Sequence, residues 1–157
     1  MLEFFTPEVR SAIRESQDYD DLLLVAMDIL EEMNDSFAPK PIAMVCGPIS
    51  NGGTGSRKEN LVIFSRAIDR VTSGGLIVFN QMPFENDMER IYNSAPLLQG
   101  FRLLEEFYLP IFKSGFVSLL CFLPGWEKSI GAKWEHERAK ILKIPRLYLA
   151  ESYLRNE

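Results

Sequence analysis

An alternation that begins at residue 42 constrains this chain more than any other feature. Short apolar runs of strand length recur at Ile42 to Cys46, Leu76 to Phe79, Phe116 to Phe122 and Arg146 to Leu149. Between them lie segments expected to be helical. Leu61, Phe64, Ala67, Ile68 and Val71 recur at helical spacing, Leu97 to Phe112 follows with a break or kink at Pro110, and Ile130 to Leu142 is amphipathic. A loop is expected over Asn80 to Asn93. The first run has no polar alternation, as expected of a strand buried on both faces. Strands alternating with helices imply right-handed crossovers and a parallel sheet covered on both faces, so the fold class is α/β.

The first 38 residues read differently. Thr6-Pro7-Glu8 has a capping hydroxyl, a Pro at the first helical position and an acid in the first turn. Asp18 to Asp21 can end one helix and cap the next. Leu22, Leu23, Val25, Ala26, Ile29, Leu30 and Met33 then recur at helical spacing, and Pro39-Lys40-Pro41 closes the segment. At 157 residues one domain with an appendage is expected. Residues 1–40 are read as a helical N-terminal extension, and residues 41–157 as the α/β domain.

Composition excludes several functions. Seventeen basic against 22 acidic residues give a net charge of −5, which argues against binding a DNA or RNA polymer. One His and two Cys cannot build a zinc finger or a His-rich metal site, so no metal is expected. Both Cys sit in apolar runs and read as reduced core thiols of a cytoplasmic protein. The run Leu22 to Met27 is too short to span a bilayer, and no charged-then-apolar leader precedes it, so neither membrane nor secretion is expected.

In a parallel α/β sheet, ligands bind beyond the carboxyl ends of the strands. Three loops are therefore expected to converge: Gly47 to Ser56, Asn80 to Asn86, and Leu123 to Ser129. The first has four Gly in nine residues and runs into a helix that starts with Arg57 and Lys58. Its backbone amides could hold an anion, which would offset cations placed at a helix N-terminus; equally, it could be a surface turn with a solvated basic pair. It lacks the spacing of a P-loop and of Gly-x-Gly-x-x-Gly. Ser129 is placed as a helix cap. Gly131, Glu135 and Ala139 are spaced by four and share one helix face, which leaves room around the carboxylate. Ile130, Trp134 and Ile141 are expected to face the core, and His136 to be a surface or supporting residue. Trp126 could stack on a base or sugar, or simply cover the loop.

Cys46-Gly47-Pro48-Ile49 after one strand, Asn80-Gln81 after the next, and Leu123-Pro124-Gly125-Trp126 with Ser129-x-Gly131-x-x-x-Glu135-x-x-x-Ala139 resemble the nucleoside 2-deoxyribosyltransferase superfamily. Within it the chain is most similar to small phage and bacterial proteins with a Leu-Pro-Gly-Trp loop. The resemblance covers about residues 41–150. It implies a Rossmann-like or flavodoxin-like three-layer sandwich that cleaves or transfers at the N-glycosidic bond of a nucleoside or nucleoside 5′-monophosphate. Glu135 then corresponds to the nucleophile. Gly47, Ile49, Ser50, Gly53, Asn80, Trp126, Ser129 and Gly131 would bind the substrate. The superfamily usually carries an Asp on the helix before the third strand; by spacing that position is Phe107, and Glu106 beside it is the carboxylate that could act as acid or base. A second family Asp is Gly115 here. The resemblance implies no cofactor, a small-molecule nucleoside or nucleotide partner, and a homo-oligomer. The alternative function is a non-catalytic nucleotide-binding or sensor domain.

Overall fold

Thr6 caps the first helix, as its position before Pro7 predicts. Its hydroxyl accepts the Val9 N–H at 3.2 Å, and α1 runs Pro7–Glu15. Asp18 caps α2 (Tyr19–Phe37) by accepting the Asp21 N–H at 2.8 Å. The computed structural model describes residues 3–95 and 101–155. It divides into two compact units, Met1–Pro39 with Gln81–Phe116 and Lys40–Asn80 with Val117–Glu157. The N-terminal helices therefore share a unit with a later segment rather than standing apart.

The first unit is helical. Leu22, Ala26, Ile29, Leu30 and Met33 form the buried stripe of α2. The segment expected to be a loop, Asn80 to Asn93, is instead a 3₁₀ turn (Met82–Phe84) leading into α4 (Glu85–Ser94). Phe84, Met88 and Ile91 are buried at spacings of four and three, a helical stripe interrupted by polar residues. At Pro110 the expected irregularity takes the form of a change in helix type rather than an interruption. A π-helical turn (Leu104–Tyr108) precedes α5 (Leu109–Ser114), and the Leu109 N–H bonds to the Leu104 carbonyl. A π-turn is one way for a helix to accommodate an internal irregularity. The part of the expected helix at 97–100 lies outside the described residues. Phe107 is fully buried, 5.5 Å from the Phe84 ring and 5.0 Å from the Tyr108 ring.

The second unit holds the sheet. Strands β1 (Ile42–Cys46), β2 (Ile77–Val78), β3 (Val117–Phe122) and β4 (Arg146–Tyr148) lie in the order β2-β1-β3-β4, all parallel. This is the α/β, Rossmann- or flavodoxin-like arrangement. All five β1 residues are buried, as a central strand requires. From β1 the chain crosses through α3 (Arg57–Ser73) to β2 on one side. From β3 it crosses through α6 (Ile130–Leu142) to β4 on the other. Right-handed crossovers in opposite directions put α3 and α6 on opposite faces. The point where the direction reverses, between β1 and β3, is where such sheets open a crevice. No described helix is long and apolar enough to cross a membrane.

Helix α6 corrects one expectation. Ile130 and Ile141 are 57% and 62% exposed, and Trp134 is only half-buried. The face turned inward is Ala132, Glu135 and Ala139. The larger apolar side chains of Ile130 and Ile141 lie on the outside.

Candidate functional site

The loops after β1 and β3 are joined at the switch point. Asn51 accepts the Ile130 N–H at 2.9 Å, tying the first loop to the start of α6. Gly52 has φ +73°, and a Cβ there would lie 2.8 Å from the Lys128 carbonyl oxygen. Gly53 has φ +57°, and a Cβ would lie 2.6 Å from Asn60 Oδ1. Both glycines are therefore required by backbone conformation and by close approach. The second expected loop is divided: Asn80 ends the sheet unit and is half-buried, whereas residues 81–86 belong to the helical unit.

Asn60 organises the first loop, and the sequence reading passed over it. It is buried at the first turn of α3. Its Nδ2 donates to the Ile49 carbonyl at 2.9 Å and the Gly52 carbonyl at 3.3 Å. Its Oδ1 accepts the Thr54 N–H at 3.0 Å and the Thr54 hydroxyl at 2.9 Å. The signal was available: Asn60 lies four residues before Phe64, on the apolar face of α3. An amide there has no reason to be buried unless it has partners.

A cleft of about 400 Å³ opens beside this loop. Pro48, Gly53, Thr54, Asn60, Leu123 and Lys128 are among its walls. Its size suits a small molecule. The amides of Thr54, Gly55 and Ser56 are bonded within the loop and to Asn60, so they are not a ready anion cradle. Ser129 is buried and its hydroxyl accepts the Ala132 N–H at 3.3 Å, the capping role expected of it. Ser50 is exposed, Ile49 and Gly131 are half-buried, and Gly47 is buried against Leu123.

Glu135 is 7% exposed and reaches the C-terminal end of β1, where its Oε2 accepts the Cys46 thiol at 3.3 Å. It is not among the residues lining the 400 Å³ cleft. Glu106 lies in the helical unit, where the Arg102 guanidinium engages both of its oxygens, with Nη2 at 3.1 Å from Oε1. Among the described residues no group of three His, Cys, Asp or Glu could hold a metal ion.

Burial pushes the Cys46 thiol well above its usual range, with the Glu135 carboxylate adding to the effect. Burial also lifts Cys121 to about 11, and it raises the Tyr19 phenol. A group whose folded pKa is raised stabilises fully below its unfolded pKa, and that contribution is lost as pH rises. Stability should therefore fall as pH climbs from about 9 towards 11, because the unfolded thiols ionise and the folded ones do not. Urea midpoints measured across that range check this. In Cys121→Ala the decline should be shallower, and an unchanged slope would remove Cys121 as a cause.

Trp126 does not line the cleft. Its ring stacks on His136, with centroids 4.0 Å apart and planes 19° apart. His136 Nε2 lies 2.7 Å from the Tyr148 hydroxyl. Burial holds the imidazole below its usual pKa, and the Arg146 and Lys140 charges add to this. His136 is thus a supporting residue for two aromatic side chains. Compared with protein-family models, curated proteins and solved structures, the chain has no significant match.

Proposed function

We propose that this protein cleaves or transfers at the N-glycosidic bond of a nucleoside or nucleoside 5′-monophosphate, with Glu135 as nucleophile. The observation that carries this reading is a buried carboxylate at the carboxyl end of β1, beside the switch point of the sheet. The flanking residues Gly131 and Ala139 add little bulk around it. In this scheme a Glu135 oxygen bonds to the anomeric carbon as the bond to the base nitrogen breaks. The base leaves with a proton from a general acid, and a second base or water then releases the sugar. A carboxylate at that carbon stabilises the oxocarbenium character of the transition state. Gly47, Ile49, Ser50, Gly53, Asn80, Ser129 and Gly131 would hold the sugar or phosphate. Glu106 is the proposed acid or base.

The second reading is a nucleotide-binding or sensor domain without turnover. The engagement of both Glu106 oxygens by the Arg102 guanidinium favours it, since those oxygens are already occupied within the helical unit. Homo-oligomerisation and a cytoplasmic location belong to the same proposal. The exposed Ile130 and Ile141 support the first, and two free, buried thiols support the second.

The test is incubation with a panel of nucleosides and 5′-monophosphates, followed by chromatography for released base. Wild type should release base from at least one substrate, and Glu135→Ala should release none. Equal release by both would remove Glu135 as nucleophile. Saturable nucleotide binding without release by wild type would select the sensor reading.

A further inference from the structure

Adjoining the cleft, with Pro124, Gly125 and Glu151 common to both linings, lies a second concavity of about 360 Å³. Phe122, Trp126 and Tyr148 supply its aromatic surface, and Glu127 and Glu151 its charge. No Lys, Arg or His is among the described residues that line it. The rings form a tilted set: Phe122 to Trp126 is 5.5 Å at 58°, Phe122 to Tyr148 is 6.0 Å at 32°, and Trp126 to Tyr148 is 6.3 Å at 33°.

Two details show that this set is fixed in place. Tyr148 is 55% exposed, yet its hydroxyl is held by His136. Trp126 is stacked on the same imidazole. One residue thus positions two aromatic walls that carry no charge, while the acids stand beside them. Ring faces attract cations through their quadrupoles, and the attraction grows as the cation is desolvated. A phosphate would meet two carboxylates there and be repelled.

We propose that this pocket is a binding site for an alkylated ammonium group, seated against Trp126 and Tyr148 with Glu127 and Glu151 balancing its charge. The site is separate from the proposed N-glycosidic chemistry and does not depend on it. The same headgroup occurs on free small molecules and on methylated lysine side chains, and the pocket's chemistry is common to both.

The test is isothermal titration of the full chain with choline, with its neutral isostere 3,3-dimethyl-1-butanol, with a trimethyl-lysine peptide and with adenosine 5′-monophosphate. Choline or the peptide should bind at least about tenfold more tightly than the neutral isostere, the margin expected of a cation–aromatic contact with carboxylate support. Whichever of the two binds more tightly identifies the source of the headgroup. Trp126→Leu should abolish that preference. Glu127→Gln alters an exposed side chain, so it should keep the fold while weakening cation binding several-fold. Equal binding of choline and its isostere, absence of any cation binding, or a Trp126-dependent site for the nucleotide alone would overturn the proposal.

Discussion

Asn60→Leu is expected to destabilise the protein by about 2–3 kcal/mol and to disorder the loop that follows β1. Leucine has the same branched outline as asparagine and is larger, so no cavity is created. The cost comes from the partners left behind. Asn60 donates to Ile49 and Gly52 and accepts twice from Thr54, and all four bonds are lost together. A neutral hydrogen bond contributes about 1 kcal/mol net, but a buried partner left unpaired costs about 1–3 kcal/mol. The loop is partly open to the cleft, so water can reach some of these groups, and this holds the total below the simple sum. Thr54→Val removes only the hydroxyl contacts and should cost about 1 kcal/mol. Asn60→Asp should not rescue, because its second carboxylate oxygen would face the Ile49 and Gly52 carbonyls. Urea denaturation gives the stabilities, and hydrogen exchange at the Thr54 amide reports the loop. A loss below about 0.5 kcal/mol with unchanged Thr54 exchange would show that Asn60 does not organise this loop.

Most of the sheet was legible because central strands and capped helices write strong local signals. Ile42 to Cys46 is an unbroken apolar run because β1 has neighbours on both edges and cover on both faces. Ser129 and the periodic stretch after it gave α6 at its observed bounds. Helix α4 was hidden because Glu85, Asn86 and Asp87 at its start resemble a polar loop, and its two buried apolar residues, Met88 and Ile91, are separated by charged ones. The π-turn before Pro110 was hidden because proline signals a break, while the way a helix absorbs it is decided by packing around Phe107 and Tyr108. On α6 the spacing grouped Gly131, Glu135 and Ala139; Glu135 and Ala139 are buried, but Ala132 joins them there and Gly131 is only half-buried. Hydrophobicity then chose the wrong face to bury: Ile130 and Ile141 are exposed, and Ala132, Glu135 and Ala139 are the buried residues. In the candidate site, Glu135 could be singled out by its neighbours along one helix. Asn60 could not be found from the loop itself, since its four bonds join residues that only the folded turn brings together.

Glu135→Gln should separate catalysis from stability at the position on which the proposed chemistry rests. A carboxylate held at 7% exposure forfeits most of its hydration. Gln has nearly the same shape, carries no charge, and its carbonyl oxygen can accept the Cys46 thiol. If Glu135 is kept for its chemistry, the change should leave stability unchanged or raise it by about 1 kcal/mol, the sign expected when a buried functional charge is neutralised. Base release should fall by at least about 10³-fold, because an amide cannot form the glycosyl ester and the two-step route is lost. If Glu135 instead has a structural role, the pattern reverses: stability should drop by about 3 kcal/mol or more, and nucleotide affinity should fall with it. Paired measurements on one preparation, a urea midpoint and a base-release rate on the best substrate of the panel, decide between these. A stable Glu135→Gln protein that still releases base at the wild-type rate would exclude the carboxylate from the reaction, because the acid's ability to form a covalent ester is the one property that substitution removes while keeping its shape.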